Sequence, residues 1–141
     1  MLLALAASLL AAVLPGATAT TVCGGPGIPY PQAALASTPA AIWVACRNDG
    51  ELQRLSPATG AVTGSVPLPG FRPWALAAGL GSLWAIDREQ STLLRLDPAT
   101  GQIRGRIAVP GLPVYVWAGG GSIWLGLESG TRVLYYARPK R

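Results

Sequence analysis

The segment Gly81-Ser-Leu-Trp-Ala-Ile-Asp-Arg-Glu-Gln-Ser-Thr-Leu-Leu-Arg-Leu-Asp-Pro-Ala-Thr-Gly101 holds two short apolar runs, a polar break and a tight turn. Ser82 to Asp87 and Thr92 to Leu96 are each long enough for a strand and too short for a typical helix. In Asp97-Pro-Ala-Thr-Gly101, Pro presets φ, Asp accepts from the backbone and Gly tolerates positive φ. Before the segment, Trp74 to Ala78 is another apolar run, turned by Gly79-Leu-Gly81. After it, Gln102 to Val109 partly alternates polar and apolar, as a half-buried strand does, and Pro110-Gly111 ends the unit. The unit therefore reads as four short strands joined by hairpins.

The same unit recurs on both sides. Trp43, Trp84 and Trp124 are 41 and 40 residues apart. Ser56-Pro-Ala-Thr-Gly60 precedes Asp97-Pro-Ala-Thr-Gly101 by 41, and Pro69-Gly70 precedes Pro110-Gly111 by 41. A unit this small cannot bury its own apolar face and must stack on its copies. Four strands in about 40 residues are one propeller blade. The fold expected is all-β, a partial β-propeller of about three four-stranded blades. Blade one covers 32–70, blade two 71–111 and a partial blade three 112–141, eleven strands in all. The third copy lacks the Pro-Ala-Thr-Gly turn and the fourth strand. A closed propeller takes about four to eight blades. The expectation is a fragment of a longer propeller, or copies that associate to close a ring.

The chain has 141 residues, half of them apolar and 12% charged, which suits one packed domain. The net charge is +5, but the Arg residues are scattered and no basic stripe forms, so nucleic acid is not expected as a partner. Leu2 to Leu14 is an apolar run broken by Pro15-Gly16, with the small-x-small site Ala17-Thr-Ala19 beyond it. That is a signal-peptide pattern over 1–19, too short for a stable membrane span, although no Lys or Arg precedes Arg47. Residues 20–31 form an N-terminal segment, and the expected location is secreted or periplasmic. Cys23 and Cys46 are the only cysteines, and in an exported chain two thiols most simply pair. Closing that loop stabilises by about 3 kcal/mol in the chain-entropy model.

Gly-Ser-Leu-Trp-Ala-Ile-Asp (81–87), Leu-Leu-Arg-Leu-Asp-Pro-Ala-Thr-Gly (93–101) and Val-Pro-Gly (109–111) together resemble virginiamycin B lyase-like β-propellers, of the wider YVTN/NHL repeat type. The resemblance covers about Ala34 to Tyr136. It implies that Trp43, Trp84 and Trp124 are blade scaffolding. For the lyase members it implies ring-opening elimination with a catalytic His beside magnesium. This chain has no His, so that base has no counterpart. A lone Glu128 in a turn does not make a magnesium shell.

No catalytic residue, metal site or cofactor is expected. Without His, and with one Lys in the tail, no Ser or Thr has an activating base. Gly119-Gly-Gly121 lacks the Lys-Ser/Thr of a phosphate loop and reads as a hairpin turn. Strands nearest a propeller axis often line a channel. The first-strand aromatics Trp74, Tyr115 and Trp117 are thus the candidates for ligand contact, with Tyr115 and Trp117 on one face. The facing of Trp74 is left open, because the repeat slips by one residue there. The function expected is an exported, non-enzymatic binding or interaction scaffold for an unknown ligand or protein. The alternatives are a truncated lyase and a quinoprotein-like or sugar-binding propeller.

Overall fold

A computed structural model describes residues 19–24, 33–128 and 133–137. Most of the apolar leader, residues 1–18, lies outside the described residues, as does the Arg138 to Arg141 run. The described residues form eleven strands and no helix. Blade one holds β1 (Ala33–Ser37), β2 (Ile42–Cys46), β3 (Glu51–Leu55) and β4 (Val62–Pro67). Blade two holds β5 (Pro73–Gly79), β6 (Ser82–Asp87), β7 (Thr92–Leu96) and β8 (Ile103–Ala108). Blade three holds β9 (Pro113–Gly119), β10 (Ser122–Leu127) and β11 (Val133–Ala137). Each blade is an antiparallel meander in chain order. The first strands β1, β5 and β9 lie side by side and form the inner edge.

The turns follow from their residues. Leu80 and Gly81 have φ of 52° and 72°, and Gly120 and Gly121 have 60° and 79°. Positive φ at both central residues is what a two-residue type I′ hairpin needs, so the glycines after Ala118 serve the β9–β10 turn. The two Pro-Ala-Thr-Gly turns share one construction with different strength. Ser56 Oγ accepts from the amides of Ala58 and Thr59, both at 3.3 Å. Asp97 Oδ1 accepts from Ala99 and Thr100 at 2.8 and 2.9 Å, and its second oxygen takes Arg104 at 2.6 Å.

Stacking explains the strand patterns. Every residue of β6 is buried, because blades cover it on both faces, and it reads as a continuous apolar run. The outer strand β8 alternates half-buried and exposed, placing Arg104 and Arg106 outward. Two apolar layers hold the three blades. Trp43, Ala45 and Leu52 on the front of blade one meet Leu83, Ala85, Leu94 and Leu96 on the back of blade two. Trp84, Ile86 and Leu93 on the front of blade two meet Ile123, Leu125 and Leu127 on the back of blade three.

A third, smaller layer closes the back of blade one. Cys23 is bonded to Cys46, and Val22 and Cys23 pack on Ile42, Val44 and Leu55. The Cys23 amide donates to Gln53 Oε1 at 3.2 Å, and Thr20 Oγ1 donates to the Gly60 carbonyl at 2.8 Å. The N-terminal segment thus covers the middle of a face that blades two and three cover with a preceding blade. Leu35 and Val62, at the margins of the same face, stay exposed.

Candidate functional site

The three repeated tryptophans occupy the same place in β2, β6 and β10 and differ in what lies in front of them. Trp43 is 0% exposed, Trp84 3% and Trp124 37%. Trp43 enters the turn of the next blade: its Nε1 donates to the Pro98 carbonyl at 3.0 Å, which Thr38 Oγ1 also reaches at 3.2 Å. Its ring lies so close to Gly101 that a Cβ there would sit 2.9 Å from Cη2. The turn glycine is therefore needed twice, for its φ of 73° and for the indole against it. Trp84 and Trp124 each donate within their own blade, to the Gly79 and Gly119 carbonyls at 2.9 and 3.0 Å.

Tyr115 and Trp117 share the face of Trp124, since Trp117 pairs with Trp124 and Tyr115 with Gly126 across the β9–β10 ladder. They are 74% and 63% exposed. Both lie on the inner strand, and their side chains turn to the front flank of blade three. In blade two the same places hold Ala75 and Ala77, paired with Ile86 and Trp84. Those small residues let the next inner strand come close. A Cβ at Gly79 would lie 2.5 Å from the Ala118 Cβ of blade three. At Gly119 the same space is filled from within the blade, where the Trp117 ring would come 2.3 Å from a Cβ. Among the described side chains, blade three thus presents a plate of three aromatic rings, with Gly126 beneath Tyr115.

Trp74 lies elsewhere. The β5–β6 ladder runs from Pro73↔Asp87 to Ala75↔Ile86, leaving Trp74 as the extra residue of a bulge. Val114 is skipped in the same way in blade three. The slip in the repeat comes from the link before the strand, where Leu112 replaces Phe71-Arg72. Trp74 is half-buried between two guanidiniums, Arg47 at 4.3 Å and Arg88 at 5.2 Å from its ring centre. Arg47 pairs with Glu89 at 3.1 Å, and Arg88 pairs with Glu128. These equivalent arginines tie blade one to two and two to three. Glu128, read as a lone turn carboxylate, is one anchor of that belt.

Asp87 and Asp97 also serve structure. Buried Asp87 accepts from the Arg72 and Gln90 amides at 2.9 Å each and from Gln90 Nε2 at 3.2 Å. It borders an open cleft of about 530 Å³ between blades one and two, together with Asp49, Arg72, Glu89 and Gln90. The Thr100 and Ala99 amides, then Arg104, hold the Asp97 carboxyl down at about 2 against an ordinary 3.8. Cys46, Asp49 and Glu51 place ligand atoms within 4.8 Å of one another. The Cys46 sulfur is committed to Cys23, which leaves two carboxylates, too few by themselves for a hard cation's oxygen shell.

The sequence matches no family model and no curated protein. Solved structures do match. Glutaminyl cyclase of Myxococcus xanthus is 18% identical with a TM-score of 0.60, over 72% of this chain and 46% of that one. A streptogramin B lyase is 16% identical with a TM-score of 0.57, over 82% and 43%. Virginiamycin B lyase of Staphylococcus aureus, in a catalytically inactive histidine-to-alanine form with quinupristin, is 20% identical with a TM-score of 0.55, over 81% and 44%. The chain spans less than half the length of each. Three stacked antiparallel blades, one shared inner edge and these likenesses, which include virginiamycin B and streptogramin B lyases, together show the fold of a β-propeller.

Proposed function

We propose that the chain is an exported, disulfide-braced propeller scaffold that binds a partner and catalyses no reaction itself. The observation that carries this reading is the aromatic plate of Tyr115, Trp117 and Trp124 on the front of blade three. Large exposed apolar surfaces mark interaction sites, and Tyr and Trp supply much contact area at low entropic cost. Export is supported by the leader pattern at 1–19 and by the Cys23–Cys46 bond, which persists in oxidising compartments. The non-enzymatic reading is supported by the missing His. The virginiamycin B lyase with a histidine replaced is catalytically inactive, and this sequence has no His.

The test is made on the purified chain. Incubation with quinupristin is expected to leave the depsipeptide ring intact by mass spectrometry. Tryptophan emission is expected to change with a partner, whether glycans, cyclic peptides or more of the protein itself. A linear quinupristin product overturns the non-enzymatic reading. Emission unmoved by every addition and by concentration overturns the binding reading.

A further inference from the structure

We propose that the cleft between blades one and two binds a small ligand carrying an organic cation and a carboxylate, as a basic amino acid or the carboxy-terminal arginine of a peptide does. The site lies apart from the aromatic plate. Its walls are two four-stranded blades and the link between them, and every lining residue is described.

The cleft has the size of a small-molecule site. Its volume of about 530 Å³ falls within the roughly 300–1,000 Å³ of ligand pockets. Buried Leu68 and Phe71 line it and offer apolar ground for an aliphatic stem.

The charges are what the cleft leaves unmet. Asp49, Asp87 and Glu89 line it together with Arg72. Glu89 is taken by Arg47 at 3.1 Å. Among the described residues, no ion pair forms to Asp49, Asp87 or Arg72. Asp87 is 1% exposed, and its hydrogen bonds come from neutral donors, the Arg72 and Gln90 amides and Gln90 Nε2. A buried carboxylate whose charge no cation meets is costly, and a cationic ligand relieves that cost. The exposed Arg72 guanidinium is in turn an acceptor's partner, suited to a carboxylate. Two carboxylates and one guanidinium thus complement a ligand with cationic nitrogen at one end and a carboxylate at the other.

A metal ion fits less well. Among the described residues, ligand atoms converge within 4.8 Å as a group of three only at Cys46, Asp49 and Glu51, where the sulfur is already bonded. Charges spread along a cleft suit an extended organic ligand.

The next junction shows that stacking does not require these charges. Leu127 holds the place of Asp87, each paired with the proline that opens its first strand, Pro113 or Pro73. Leu112 stands in the link where blade two has Phe71-Arg72. Leu127 is buried, and a Cβ at Gly111 would lie 3.2 Å from its Cδ1. The same repeat therefore makes an apolar seal at one junction and a charged cleft at the other.

Titration of the oxidised, ¹⁵N-labelled full chain, followed by amide NMR shifts, tests this. Nα-acetylarginine is expected to move the amides of Asp49, Gly70 and Gln90 saturably at millimolar concentration. Its amide, which lacks the carboxylate, and Nα-acetylcitrulline, which lacks the cation, are each expected to bind at least about fivefold more weakly, the worth of an exposed charge pair. Asp49→Asn is expected to weaken acetylarginine by a similar factor. Arg72→Gln is expected to bind acid and amide alike, a loss of discrimination that a merely structural role would not produce. Both residues are exposed, so thermal melts are expected to stay near wild type. Free L-arginine and the peptide Gly-Gly-Arg are titrated alongside; binding of either supports the site, and the tighter names the source. No saturable shift by about 10 mM acetylarginine, on the scale of a millimolar Kd, overturns the proposal. So does citrulline binding as well as arginine, a wild type that binds acid and amide alike, or an Arg72→Gln chain that still tells them apart. Shifts confined to Tyr115, Trp117 and Trp124 also overturn it, and leave the plate as the binding surface.

Discussion

The front of blade two and the front of blade three are built on the same strands in the same register and end in different states. Trp84 pairs across the ladder with Ala77, and Trp124 with Trp117. Ile86 beside Trp84 fills a sealed layer, whereas Gly126 beside Trp124 leaves room for the Tyr115 ring. A repeated tryptophan is therefore core or surface according to its neighbours. The repeat places the residue, and the alanines or aromatics of the first strand decide whether another blade can reach it.

Truncating the tryptophans gives the largest expected separation. Trp43→Ala empties a fully buried site and loses the hydrogen bond to Pro98, and is expected to cost about 3–5 kcal/mol in urea unfolding. Trp124→Ala, measured in dilute protein, is expected to cost clearly less, since about a third of the residue is already in water. Equal losses would break the comparison.

The turns give the next effect. Gly101→Ala puts a Cβ at positive φ and 2.9 Å from the Trp43 ring, and is expected to cost about 2–3 kcal/mol. Gly60→Ala meets only Thr20 Oγ1 at 3.5 Å, so the φ cost of about 1 kcal/mol is expected alone. Denaturation midpoints of the two variants sharpen the difference between a turn that receives a blade and one that meets the N-terminal segment.

Acid gives the smallest. Asp97 titrates lower in the folded chain, at about 2, than its ordinary 3.8. The unfolded chain therefore takes up protons first, and the contribution of Asp97 is full above about pH 4 and lost towards pH 2. Asp97→Asn is expected to flatten stability over that window, read by melts at stepped pH. Ser56, its counterpart in blade one, has no charge to titrate, and Ser56→Ala is expected to leave the slope unchanged.

Much of this was legible before any coordinates. The 41-residue spacing and the Pro-Ala-Thr-Gly turns imply all eleven strands, and two lone cysteines behind a leader-like apolar run imply their bond. Tyr115 and Trp117 on one strand, two apart, must share a face. Which face is a matter of register across β9 and β10, and no local pattern carries that. Trp74 was harder, because a bulge rotates it out of the strand's alternation towards Arg47 and Arg88. The role of Thr20, Val22 and Cys23 as a cover was hidden for a simpler reason. Six residues with no period give no signal until the face they lie on is in view.

The interlock of one blade with the next is tested most directly at the Trp43 indole N–H, assigned by its loss in Trp43→Phe. Bonded to Pro98 of blade two and fully buried, that proton is expected to exchange with deuterium only when the stacked blades unfold together. Exchange as fast as a free indole under native conditions would contradict the stacking of blade one into the turn of blade two.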